Sequence, residues 1–270
     1  MNISKIFDYK YLAERPATTA LMALTSILLG FAFAYLFFSS ALSIVMVSFS
    51  SMLILPYMMK TLEADKAPKY FRLPAIMARH DAVIKFYIYL FLGMAVAYMI
   101  LYLALTPDIY VFAFKSQIHS IMPGPVGNFF NPGFFIDIVS NNVTIVLICV
   151  LLSLFYGAGA IFILNYNASI LGVIYGSSVR PLIWGMEGVP MVFSSILVFV
   201  PHTFLEILGY LMAAISGGIL SNAFTVRMDT MEGVRTGRLF LRDSVIFLVF
   251  AMALIIAGGF VETVLPPLFI

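Results

Sequence analysis

His202 and Glu206 lie four residues apart in a stretch otherwise dominated by leucine, isoleucine, glycine and alanine. On a helix that spacing puts both side chains on one face. A carboxylate in so apolar a setting takes up a proton unless a donor or cation meets it, so Glu206 calls for a polar partner. Three chemistries fit the pair. The two side chains can bond each other, or nearby asparagines and backbone, purely to hold helices together. They can relay a proton or contact a transported substrate, which is how ionisable groups in apolar segments commonly act. They can also ligate a metal, although no second group of His, Cys or acids stands nearby to complete a site. The asparagines Asn141, Asn142, Asn165 and Asn167 are the other polar residues set among apolar neighbours, and interhelical hydrogen bonding suffices to explain them. Glu262 stands near the end of the last apolar run, where it can reach an interface.

The elements that must position these residues follow from composition. Of 270 residues, 62% are hydrophobic and 10% charged, with a mean hydropathy of +1.04. Soluble domains carry about 25% charged residues, so this chain cannot cover a water-facing surface, and most of that surface must face lipid. The same deficit excludes a soluble enzyme, a nucleic-acid binder and a disordered chain. The single cysteine, Cys149, excludes a disulfide framework and a cysteine-based zinc site. No nucleophile–base set, phosphate-binding glycine loop or paired-metal carboxylate cluster occurs, and no cofactor is implied. The expected fold is all-α, a polytopic transmembrane bundle.

Apolar runs place spans at 17–38, 41–59, 86–105, 138–164 and 245–264. The first is too long for a signal-peptide core and lacks a cleavage site after it, so it is retained. Between 165 and 243 charge decides the count. If 168–185 crosses once, thirteen of the fifteen Lys and Arg fall on one side, leaving Lys115 and Arg180 on the other. That bias favours seven crossings with the N-terminus cytoplasmic; six spans plus a re-entrant pair is the alternative. Arg180 must then snorkel to the outer interface. The units are a cytoplasmic N-terminus (1–16), a transmembrane hairpin (17–59), a basic cytoplasmic loop (60–85) and a five-span core (86–270). The run from 191 to 222 is about 48 Å long as a helix, well beyond a ~30 Å hydrocarbon core. Pro201 predicts a break near Val200, with a half-helix over 191–199 and a full span from His202.

The segment 106–137 is apolar and aromatic, with Tyr110, Phe112, Phe114, Phe129, Phe130, Phe134 and Phe135. Pro123-Gly124-Pro125 and Asn131-Pro132-Gly133 mark turns in it. It either lies in the headgroup zone or docks a protein partner. Glycines 157, 159, 172, 176, 209, 217 and 218 permit close helix approach, and such faces allow a homodimer.

The order Asn141-Asn142, Phe155-Tyr156-Gly157, Asn167-Ala168-Ser169-Ile170-Leu171-Gly172 and Pro201-His202-Thr203-Phe204-Leu205-Glu206 resembles the stage II sporulation protein M family. Members typically show a paired Asn, a glycine in the next helix, an Asn-Gly-x-x-Leu-Gly block and a Pro-His-Gly-x-x-Glu block. The resemblance covers about 85–265 and implies a five-span core. Ala168 and Thr203 depart from it, each standing where a glycine is usual. The sporulation members resemble scaffolds that assemble with peptidoglycan-degrading enzymes. The resemblance therefore implies a non-enzymatic membrane scaffold, with partners outside or inside the cell and lipid around it. Gly157, Gly172 and Pro201 would shape its helices. The alternative is a transporter, a channel or the membrane subunit of an energised pump, with its polar site at His202 and Glu206 among the asparagines.

Overall fold

A computed structural model describes residues 14–63, 74–121, 132–183, 189–226 and 229–264, with helix but no side-chain placement over 189–200. Lys5, Lys10, Lys66, Lys69, Arg72, Arg227, the Pro123-Gly124-Pro125 turn, Phe129, Phe130 and Asn131 lie outside the described residues. The described chain is all helix. In order, the elements are α1 (Pro16–Phe37), a 3-10 turn (Ser39–Ala41), α2 (Leu42–Glu63), α3 (Pro74–Arg79), α4 (Asp81–Ala104), α5 (Pro107–Ala113), α6 (Lys115–Ser120), α7 (Pro132–Tyr156), α8 (Ile161–Ile183), α9 (Val189–Thr225) and α10 (Met231–Val264).

Seven of these helices are long and apolar enough to cross a membrane: α1, α2, α4, α7, α8, α9 and α10. The protein is a multi-pass membrane bundle. It packs as two groups. The α1–α2 hairpin lies against α4 and α8, while α9 lies against α10 and α7; α8, α2 and α4 join the groups through α9. Leu21, Leu28 and Leu29 on α1, and Val245, Val249 and Phe250 on α10, are exposed on the outside. Those faces meet lipid, where an exposed leucine carries no penalty. Inside, small residues set the spacing: a Cβ added to Gly172 would fall 2.6 Å from the Tyr98 Cβ, so α8 and α4 touch almost backbone to backbone there.

Three expectations need correction. The apolar run 138–164 is not one span, because α7 ends at Tyr156 and the chain reverses over 157–160. Gly157 adopts φ +67°, a left-handed conformation that suits glycine at a helix end. Asn165 and Asn167 therefore lie on α8, whose bounds replace the crossing expected at 168–185. The break near Val200 is also absent: α9 is helical from Val189 through Pro201 to Thr225. Proline removes one helical hydrogen bond, and in spanning helices neighbouring groups can re-satisfy the freed carbonyl. Pro56 in α2 and Pro181 in α8 are likewise inside helices. The apolar part of α9 does begin at Pro201. Finally, α10 begins at Met231, well before the apolar run at Val245. Its first four turns carry Glu232, Arg235, Arg238, Arg242 and Asp243, and at about 51 Å the helix overshoots the hydrocarbon core.

Because the spans alternate in direction, Arg79, the Gly157 turn and Asp243 share one end of the bundle, and Ser39, Lys115 and Arg180 share the other.

Candidate functional site

Glu206 lies five residues into the apolar part of α9, facing α7 and α10. The Asn142 amide of α7 donates to the Glu206 Oε1 at 2.5 Å. The Asn142 Oδ1 accepts from the Tyr210 hydroxyl at 2.8 Å and from the Asn141 amide at 3.3 Å. Tyr210 is one helical turn beyond Glu206, so α9 offers both groups on one face. From α10 comes Glu262, half-buried near the helix end and one turn beyond Gly258, where α10 packs against Glu206, so the two carboxyl side chains are neighbours. Two carboxyls brought side by side can share a proton. Gly258 makes the approach feasible: a Cβ there would stand 3.0 Å from the Glu206 Cγ. His202 is buried one turn earlier on α9, at 5% exposure. Among the described residues, neither glutamate is paired with an arginine or lysine.

The six polar residues singled out from the sequence do not form one site. Asn141, Asn142 and Glu206 come together, with His202 one turn away. Asn165 belongs elsewhere: its amide donates to the Ser50 and Ser51 hydroxyls, each at 2.9 Å, and to the Val47 carbonyl at 3.1 Å, all on α2. Ser50 in turn meets the Tyr98 hydroxyl at 3.2 Å. This second cluster ties α8 to the N-terminal hairpin and to α4. Asn167 bonds the Ile163 carbonyl of its own helix at 2.8 Å.

Sequence reasoning missed three groups. Tyr210, and the placement of Glu262 beside Glu206, complete the Glu206 site, and the i, i+4 spacing of Glu206 and Tyr210 was the available signal. Gln117 on α6 is fully buried, accepting from Ser43 at 2.6 Å and donating to Ser169 at 2.9 Å. With Phe114 packed edge-on to Tyr98 and Tyr102, it fastens part of the aromatic segment onto the bundle. Arg180 donates to the Tyr102 and Leu105 carbonyls at 3.0 and 3.1 Å and lies 4.6 Å over the Tyr110 ring. It therefore caps the C-terminal end of α4, where a cation is favoured. The third group is at the other end. Asp243 is fully buried and accepts from Arg79 at 2.7 Å and Arg242 at 2.9 Å, with the His80 ring at 3.4 Å.

No set of three or more His, Cys, Asp or Glu side chains that could hold a metal ion occurs among the described residues. What the Glu206 site can do is hold one proton, or one small cation, between two carboxyls backed by an amide and a phenol.

A model of the family described as stage II sporulation protein M matches residues 82–267. The chain belongs to that family. Comparison with curated proteins and with solved structures finds no significant match. The matched region contains all of Asn142, Glu206, Tyr210 and Glu262, and five of the seven spans. The α1–α2 hairpin lies outside it, yet supplies every partner of the Asn165 amide. In this member of the sporulation protein M family, the added hairpin is thus built into the core.

Proposed function

We propose that this protein is a transport protein, or the membrane subunit of an energised pump, that carries a proton or small cation through Glu206 and Glu262. The observation that supports this most is a pair of neighbouring carboxyls on apolar spans, with neutral Asn142 bonded to one of them and no described arginine or lysine paired with either. A buried acid kept only for packing is better replaced by a neutral group. Ionisable groups retained at such depth commonly mark an ion or proton path. The site has no nucleophile–base pair, and we assign it no bond-making step. The described Lys and Arg fall at the Gly157 end, apart from Lys115 and Arg180, which supports placing that end and the N-terminus in the cytoplasm.

The test is flux. In vesicles reconstituted with the purified chain, imposed ion or pH gradients should dissipate through the wild type. Glu206→Gln should abolish that flux with folded protein retained. Equal flux through the variant overturns the reading and leaves the non-enzymatic scaffold in its place. The scaffold reading draws on Phe112 of α5, which is 64% exposed at the bundle end. Excising 110–135 is no clean test of it, because Phe114 and Gln117 are fully buried.

A further inference from the structure

At the end of the bundle opposite the Gly157 turn, the 3-10 turn between α1 and α2 and the short helices α5 and α6 enclose an open groove of about 660 Å³. Its walls are of two kinds. Ile44 and Phe112 are apolar and exposed, at 60% and 64%. Ser39, Ser40, Asp108 and Lys115 are polar. The groove is preformed, because Ser43 in its floor donates to the buried Gln117 and accepts from the Ser116 backbone amide at 3.3 Å, which fixes α6 against α2.

Charge is what makes the groove unusual. Asp108 and Lys115 are both exposed and line the same space, yet they form no ion pair with each other or with any described residue. Of the two cations at this end, Arg180 is engaged by the α4 carbonyls, whereas Lys115 faces the groove. We infer that this groove binds a zwitterionic phospholipid from the surrounding leaflet, with Lys115 on the phosphate, Asp108 on the headgroup ammonium and the acyl chains over Ile44 and Phe112. The position suits a lipid, since the groove opens where apolar spans end and the headgroup zone begins. Two unpaired charges of opposite sign complement a zwitterion. An anionic lipid would satisfy Lys115 and be repelled by Asp108. An ammonium with N–H donors, as in phosphatidylethanolamine, can also donate to the Asp108 carboxylate and to the serine hydroxyls.

The experiment is native mass spectrometry of the full chain in detergent, titrated with dioleoylphosphatidylethanolamine or dioleoylphosphatidylglycerol. The wild type should retain the ethanolamine lipid about tenfold more tightly than the glycerol lipid, the difference one charge-assisted hydrogen bond supplies. Asp108→Asn should erase that preference, and Lys115→Gln should weaken retention of both lipids. Both substitutions are at exposed positions, and the wild-type lipid comparison needs no variant at all. Equal or tighter retention of phosphatidylglycerol by the wild type overturns the assignment. So does a preference that survives Asp108→Asn, or retention that Lys115→Gln leaves unchanged.

Discussion

Helix α10 carries one acid towards each end, Asp243 fully buried and Glu262 half-buried, and the two are treated in opposite ways. Asp243 sits among Arg79, Arg242 and His80. Glu262, nineteen residues and about 28 Å further on, neighbours a second carboxyl, Glu206, which itself accepts from an asparagine. The first arrangement compensates its charge locally, and so it fastens α10 to the junction of α3 and α4. The second leaves its charge state to whatever proton or cation arrives. A buried acid is therefore not by itself a sign of function; its partners decide whether it is a fastener or a site. The same rule covers Asn165, which is enclosed by serines of α2 and serves cohesion.

The largest effect that would sharpen this contrast is at the fastener. Asp243→Asn removes the charge that Arg79 and Arg242 share, in a side chain with no exposure. Stripping one partner from a buried ion pair costs about 3 kcal/mol. Unfolding of the detergent-solubilised protein by denaturant should show a loss of that order. A variant as stable as the wild type would mean that the two arginines are hydrated and that Asp243 fastens nothing.

The next largest effect is at Asn142. Replacing it with leucine leaves the Tyr210 hydroxyl and one Glu206 oxygen without their shared amide, at a cost of about 2 kcal/mol in the same assay. Glu206→Gln behaves differently. Glutamine keeps the shape and can still accept from Asn142, so stability should stay within about 1 kcal/mol of the wild type while flux is lost. If Glu206→Gln instead destabilises as much as Asp243→Asn, the two ends of α10 are alike and the site is a second fastener.

How much of this was legible in the sequence follows from where the partners lie. Spans one to three are bounded by Pro16, Glu63, Asp81 and Pro107, with Ser39-Ser40 between the first two, so their limits are written locally. The reversal at 157–160 is not, because Gly157-Ala158-Gly159-Ala160 is as apolar as the helices it separates; the left-handed glycine is what divides them. Pro201 gave the opposite error, since one lost backbone bond does not end a helix whose remaining bonds have no water to exchange with. Glu206 and Asn142 stood out as polar residues among apolar ones. The nearness of Glu262 to Glu206 did not, because it depends on Gly258 letting α9 and α10 close up. The Asn165 partners are more than a hundred residues away on α2, beyond the reach of any local spacing. Asp243 read as one more acid among basic residues, and only the arrival of Arg79 and His80 from the junction of α3 and α4 sets it apart.

The smallest effect tests whether burial, rather than charge, gives the fastener its strength. Lys85 and Asp81 form an ion pair at 2.8 Å at the same end of the bundle as Asp243, on the first turns of α4. Its geometry is as good as that of Arg79 with Asp243, but its side chains are 50% and 54% exposed, where Asp243 has none. Water and salt screen such a pair, and holding two flexible side chains together offsets the remaining attraction. Lys85→Gln should therefore leave the denaturation midpoint where it is in the wild type, at low and high salt alike. A midpoint that falls towards that of Asp243→Asn would show that any ion pair at this end holds the bundle. The contrast along α10 would then reduce to which end of the membrane an acid happens to face.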